Sequence, residues 1–335
     1  MPQNQSALHV SRPLSDMLVK FDPNLIGYWR DVIWPKKPVA KLTNQIRSIA
    51  REQLLRSYNG KTGANGRVTR VDFATGPTDS YNCEVYAFEA ILDAIEQENA
   101  DEELQYQIQK MEAPISAMNV WLERQAIETQ LRDTNLWTQN VTLAGGLQWD
   151  VQGGASNPFA DLVTACRSVA SNAQRKANIV FMDHLVWSKL VEHPVVQRMV
   201  NFWSNGSVIT ASILEKMLET WIEPNSIKIN FARYNSAAEG LAEVYTSYIH
   251  GDVFVGYQDA PGMAAFGYGY KYQWNMLAGD KPAIVFEFPT YDAPMGGRVM
   301  RTVTAVDYHP NQAKSAFLIK SAVNAALSEF NGELA

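Results

Sequence analysis

The residues of this 335-residue chain whose types could do chemistry are few, and each lacks a companion that its reaction needs. Asp183 and His184 are adjacent, but an acid–base pair needs side chains that converge on a reacting group, which adjacency does not supply. An aspartate just ahead of Leu185 reads as a helix cap beside a surface imidazole. Gly60-Lys61-Thr62 has the end of a phosphate-binding loop, yet Leu55 stands where the earlier glycine belongs. Gly267-Tyr268-Gly269 opens like a dinucleotide fingerprint and then carries Tyr272 in place of its third glycine. None of His9, His184, His193, His250 and His309 has a second histidine four residues away, and there is no Gly-x-Ser-x-Gly elbow. The carboxylates between Asp93 and Glu103 are too closely set in polar sequence to be a buried acid–base pair and read as a solvated face. Arg124, Glu128 and Arg132 follow at the i, i+4 spacing of a salt-bridge ladder. No cofactor, no metal and no catalytic site is expected.

The elements that would carry these residues belong to a well-filled chain. At 46% apolar and 19% charged, with 9 Trp, 14 Tyr and 13 Phe, it excludes intrinsic disorder and has length for about two domains. Cys83 and Cys166 form no Cys-x-x-Cys pair, which excludes a disulfide framework and points to a reducing compartment. No apolar run approaches a membrane span of about 18 residues. The first residues lack the basic and apolar regions of a signal peptide, so a protein that is cytoplasmic when made is expected.

Residues 1 to 44, broken by Pro13, Pro23, Pro35 and Pro38, read as an arm laid over another surface. Its large apolar residues, Trp29 and Trp34 among them, need such a cover. A short helix is expected around Ile46, Ile49 and Ala50, then an extended excursion through Val68–Ala74 and Tyr81–Leu92. Pro114 suits the first turn of a helix reaching Leu131, with Ile115, Met118, Leu122 and Ala126 on one side and Val120, Ile127 and Leu131 nearly opposite. Asn157-Pro158 caps the clearest amphipathic helix, on whose apolar face Cys166 is a packing thiol. Strands are expected at Ile179–Met182, Ile227–Phe231, Val244–Tyr257, Ile284–Phe288 and Met300–Val306, with a mixed strand and helix over Ala313–Phe330. The aromatic alternation Tyr268, Tyr270, Tyr272, Trp274 reads as core or subunit contact, and the intermixed order gives an α+β class.

Charge is unevenly divided. Residues 1 to 70 hold 12 Lys+Arg against 4 Asp+Glu, whereas residues 71 to 133 hold 3 against 14. The basic residues are spread singly, unlike a nucleic-acid arm, so the two stretches read as surfaces made to meet.

Three stretches, DPNLIGYWRDVIWPKKPVAKL, TDSYNCEVYAFEAILD and LRDTNLWTQNVTLAGGLQWD, the last followed by NPFADLVTA and ANIVFMDHLVWSKLVEHPVV, resemble the major capsid proteins of tailed bacteriophages with the Hong Kong 97-type fold. With HGDVFVGY and the aromatic run after it, the resemblance covers roughly residues 14 to 310. It implies an N-terminal arm at 1–45, an extended β loop at 46–92, a peripheral domain at 93–154 and 285–335 with a spine helix at about 114–133, and an axial domain at 155–284. It further implies a structural protein, not an enzyme, that closes as hexamers and pentamers into an icosahedral shell around double-stranded viral DNA, bound without sequence specificity. The virion capsid would be its place and the host cytoplasm its site of assembly.

The partners implied are further copies of itself, a portal protein, a separate scaffolding protein, because only about 13 residues precede the arm, and a decoration protein where one is used; no membrane partner is implied. An encapsulin-like bacterial nanocompartment shares the fold and is the alternative. Inter-subunit contacts are expected at Trp29, Trp34, Arg47, Arg51, Arg56, Arg67, Arg124, Glu128 and Arg132. Some relatives crosslink through a loop lysine, for which Lys61 is placed by position alone.

Overall fold

The computed structural model describes residues 9–10, 27–46, 55–58, 60–61, 66, 68–71, 79–99, 103–152, 155–204, 209–262, 266–275, 284–290, 296–324 and 329–330. Two sheets organise them. The first has strand order β1-β13-β14-β12-β2, from β1 (His9–Val10), β2 (Lys36–Val39), β12 (Gly269–Trp274), β13 (Ile284–Thr290) and β14 (Gly297–Pro310). A sixth strand, β5 (Glu84–Asp93), pairs antiparallel with β14 from Asp93↔Gly297 to Glu84↔Val306. The second sheet has order β6-β15-β11-β7-β8, from β6 (Asn140–Thr142), β7 (Ile179–Asp183), β8 (Ile227–Asn230), β11 (Val253–Gly256) and β15 (Ala316–Lys320). Small sheets join β3 (Thr43–Ile46) to β4 (Asp79–Asn82), and β9 (Arg233–Asn235) to β10 (Tyr245–Ser247) and β16 (Glu329–Phe330).

The second sheet is buried on both faces, and its sequence shows why. Along β7 and β11, Ile179, Phe181 and Phe254 point into one core while Val180, Met182, Val253 and Val255 point into another. A strand covered twice needs an unbroken apolar run, which is what Ile179–Met182 supplies. The aliphatic core lies under α4 (Pro158–Ala173), α5 (His184–Glu192), α6 (Pro194–Ser204) and α7 (Ala211–Met217). The Asn157 side chain accepts from the Ala160 N–H, and Cys166 is fully buried on the inner face, both as the sequence indicates. The aromatic core lies between the sheets, built around Trp34, Trp137, Tyr268 and Phe254. Tyr268, Tyr270 and Tyr272 are all buried, so the alternating aromatic strand is core.

Several expectations change. The long helix α3 runs Glu103–Arg124 and continues as a π-helix over Gln125–Leu131, so Pro114 lies inside it rather than in its first turn. The apolar series begins earlier, at Met111, and burial of that side against β5 holds the helix together through the residue that lacks an N–H. Ile46 ends a strand and not a helix; Ile49 and Ala50 fall outside the described residues. The stretch 84–93, expected within the extended loop, pairs with β14 over ten registers. Among the described residues, no helix follows β15. The expected domain boundaries cut across both sheets. β12, expected in the axial part, pairs with β14, whereas β6 and β15, expected in the peripheral part, complete the sheet of β7 and β11. Strand partners are chosen by pairing geometry, which contiguity along the chain does not reveal.

Candidate functional site

The expected contacts divide into an arm root and a joint, one near each end of the second half of α3. At the arm root, residues 27–39 pack inside their own subunit. The one-turn helix α1 (Arg30–Ile33) begins where the Glu123 carboxylate accepts the N–H groups of Trp29 at 2.7 Å and Arg30 at 3.2 Å. The Arg30 guanidinium reaches the Asn119 carbonyl at 2.8 Å and its side-chain oxygen at 2.6 Å. Asp31 pairs with Lys271 of β12 at 2.5 Å. Trp34 is fully buried and donates its indole N–H to the Ala126 carbonyl in the π-helical turn at 3.0 Å. A Cβ on Gly269 would lie 2.4 Å from the Trp34 ring, so glycine there is what lets the indole seat. The tryptophans expected at subunit contacts are therefore anchors: Trp34 offers no surface, and Trp29 is half-buried against Phe181. Large apolar residues in an arm need a cover, and here the cover is the chain's own core.

Buried charge sets the electrostatics. Burial pushes the Glu123 carboxyl up to about 7, against the pull of Arg30 and the two N–H groups. Burial likewise lowers the Lys271 ammonium, although Asp31 opposes it. Asp31 is raised by burial, but Lys271 and Arg30 bring it below its ordinary value.

At the joint, Arg124 and Glu128 make the expected i, i+4 pair at 2.7 Å, but Arg132 does not extend the ladder. Its N–H bonds the Ile127 carbonyl five residues back, and the wider winding turns its side chain to Asp252, 2.7 Å away. Glu128 also accepts from the Tyr234 hydroxyl at 2.9 Å and lies 3.8 Å from His250. Burial raises this carboxyl, yet the hydrogen bonds from His250, Arg124 and Tyr234 bring it down to about 2. All three residues thus fasten α3 to β9 and the turn before β11 within one subunit.

Of the basic residues, Arg56 is exposed, and Arg47, Arg51 and Arg67 fall outside the described residues. In the acidic stretch, Asp93 caps the helix α2 (Ala94–Glu98), Glu96 meets Lys110 at 2.7 Å, and Glu89 meets Arg301 at 2.7 Å. The outer face of β5 exposes Val85 and Ile91, and Phe202 on α6 is 89% exposed beside an apolar groove of about 640 Å³.

Asp183 caps α5 through the Leu185 N–H and receives the Ser247 hydroxyl, while His184 stacks on Phe231. The far ring nitrogen of His184 faces the Arg233 guanidinium at 3.3 Å among the described residues, where a catalytic pair would present a nucleophile. Burial pushes both thiols, Cys83 and Cys166, up to about 12, away from reactive thiolates. Among the described residues no group of three metal-ligating side chains occurs, and no helix is long and apolar enough to cross a membrane.

Glu123, Asp31, Lys271 and Asp252 were missed from sequence. Glu123 had a signal: it stands three and four residues before the buried Ala126 and Ile127, and a carboxylate on an apolar face needs internal donors.

No family model matches the chain, and no curated protein matches it by sequence. Solved structures do. A phage-related protein from Bordetella bronchiseptica RB50 superposes with a TM-score of 0.70 at 19% identity, over 94% of this chain and 98% of that one. A putative capsid protein of an Escherichia coli CFT073 prophage gives 0.53 at 13% identity, over 93% and 99%. The fold is the Hong Kong 97-type capsid fold. The SrpI encapsulin of Synechococcus elongatus shares this capsid fold, with a TM-score of 0.53 at 7% identity over 88% of this chain and 86% of its own. The α+β class read from the sequence stands.

Proposed function

We propose that the chain is a major capsid protein of a tailed phage, closing as hexamers and pentamers into an icosahedral shell around double-stranded DNA. The observation that carries this reading is the match, over more than nine-tenths of the chain, to a phage-related protein and a prophage capsid protein. Exposed apolar residues support it: Val68, Val71, Val85, Ile91 and Phe202 are side chains that neighbouring copies would cover. In this reading the layer of β5, β12, β13, β14 and α3 is the peripheral domain, and the layer of β7, β11, β15 and α4 to α7 is the axial domain. The basic segment around 47–70 meets the acidic stretch of a neighbour, DNA is confined without sequence-specific contact, and portal and separate scaffolding proteins complete assembly in the host cytoplasm.

Sedimentation velocity followed by negative-stain imaging tests the shell. Sixty copies of a 37.5 kDa chain weigh about 2.2 MDa, the least an icosahedron allows. A protein that remains monomeric with crowding agents and with its phage's scaffold would overturn it. Reversing Arg47, Arg51 and Arg56 to Glu is expected to leave a soluble subunit that does not assemble, and normal shells would refute the charge pairing. The encapsulin likeness supports a second reading, a nanocompartment shell. Nuclease-protected DNA in purified particles favours the first, and a co-purifying enzyme the second.

A further inference from the structure

A cleft of about 340 Å³ opens between β2, the β3–β4 pair and β12. Its polar lining is Lys37, Lys41, Asn44, Gln45, Tyr81 and Tyr272, and no acid lines it. Lys37 stands opposite Tyr272 in the parallel register of β2 and β12, and its ammonium lies over the rings of Tyr270 at 5.6 Å and Tyr272 at 5.1 Å. Lys37 is half-buried, and among the described residues no carboxylate lies within ion-pair reach of it. Burial lowers its ammonium, with no opposing charge to offset that burial. Of the acids beside this cluster, Asp79 pairs with His309 at 2.8 Å and Asp307 accepts the Asn82 N–H at 2.9 Å. Tyr272 adds a donor. It is 1% exposed, its ring stacks on Tyr81 at 4.8 Å, and its hydroxyl is buried without a hydrogen-bond partner among the described residues. Tyr81 and Lys37, which hold that ring, both line the cleft, so Tyr272 stands on the cleft's side of the sheet. A cation and a spare hydroxyl are thus gathered with no anion to receive them.

We propose that this cleft binds a carboxylate, which in a particle comes from the acidic stretch 71–133 of a second copy. A carboxylate accepts from an ammonium and a hydroxyl together and supplies the countercharge that a half-buried lysine lacks. Charge complementarity names the source: residues 1 to 70, which include Lys37 and Lys41, hold 12 Lys+Arg against 4 Asp+Glu, and residues 71 to 133 hold 3 against 14. In that stretch Glu98 on α2 and Glu112 on α3 are exposed and without a cationic partner among the described residues. The source rests on the shell reading, and the cleft does not.

The full-length unassembled subunit, with isotope-labelled tyrosine rings, is titrated with N-acetyl-glutamate amide and with inorganic phosphate, and the NMR signals of Tyr81 and Tyr272 are followed. Saturable shifts with the carboxylate are expected, weakened at least about tenfold in Lys37→Met. N-acetyl-glutamine amide, of the same shape without the charge, is expected to shift nothing. Absence of shifts with the carboxylate, or equal shifts with the glutamine analogue, overturns the site, and shifts with phosphate alone overturn the carboxylate. Tyr272→Phe, which keeps the ring and removes the hydroxyl, is a second variant should the first not fold, with about fivefold weakening expected. The source is read in particles. Lys37→Glu is expected to abolish them, and Glu98→Lys or Glu112→Lys in the same chain to restore them. Normal particles from Lys37→Glu, or no restoration by either reversal, overturn the second-copy source. An unaltered chain that forms no particles strikes the shell reading, while the titration still decides the cleft.

Discussion

The arm root and the joint are each held by a glutamate of the same helix, and the two carboxylates sit in opposite regimes. Glu123 is fully buried, and the Arg30 charge with two backbone N–H groups only partly offsets that burial, so its charged form is disfavoured and its carboxyl rises to about 7. Glu128, five residues on and partly exposed, is held by an arginine, a tyrosine and a histidine and falls to about 2. The difference teaches what each contact is for. The arm root uses a costly buried charge to fix where a remote segment enters the core, whereas the joint uses paired charges to tie two layers at their margin.

The comparison can be broken by substitution. Trp34→Ala and Glu123→Ala are each expected to lower unfolding free energy by about 3–5 kcal/mol in urea titrations, the first by opening a large cavity and the second by stranding the Trp29 and Arg30 donors. A loss below 1 kcal/mol at Glu123 would show that the arm root is held by packing alone. The pH dependence sharpens the contrast. Because the Glu123 carboxyl is raised when folded, the unfolded chain releases that proton first. Stability is then lost as pH rises from about 4.5 to about 7, by roughly 3 kcal/mol relative to Glu123→Gln. Glu128 is depressed, so its contribution is present above about 4.5 and is lost as pH falls toward 2; Glu128→Gln should flatten that acid limb. Parallel curves for Glu123→Gln and wild type would remove the distinction. At the joint, Arg132→Ala leaves the buried Asp252 with the Ser321 N–H at 2.8 Å, for an expected loss of about 1–3 kcal/mol. The smallest change is Asn157→Ala, about 1 kcal/mol by thermal unfolding, because one donor at the start of α4 loses its cap.

Local signals were legible. Asn157-Pro158 before a three–four apolar repeat marked α4, Asp183 marked the start of α5, and the run at 179–182 marked a central strand. Each depends on residues within a turn or two of one another. The arm root was read in part: the need of Trp34 for a cover was visible, but the cover proved to be its own helix and β12 rather than a neighbour. The ladder at 124, 128 and 132 failed at its last rung, because i, i+4 spacing assumes an α-helix and the chain winds as a π-helix there.

The sequence by itself determined the α+β class, the amphipathic faces and the packing role of Cys166, since periodicity and composition act locally or on average. Only the tertiary structure decided that β12 joins β14 while β15 joins β11, and that Glu123 meets residues more than 90 positions away. These are long-range pairings. They are selected by which faces can be buried together, a condition on the whole chain that no window of sequence contains.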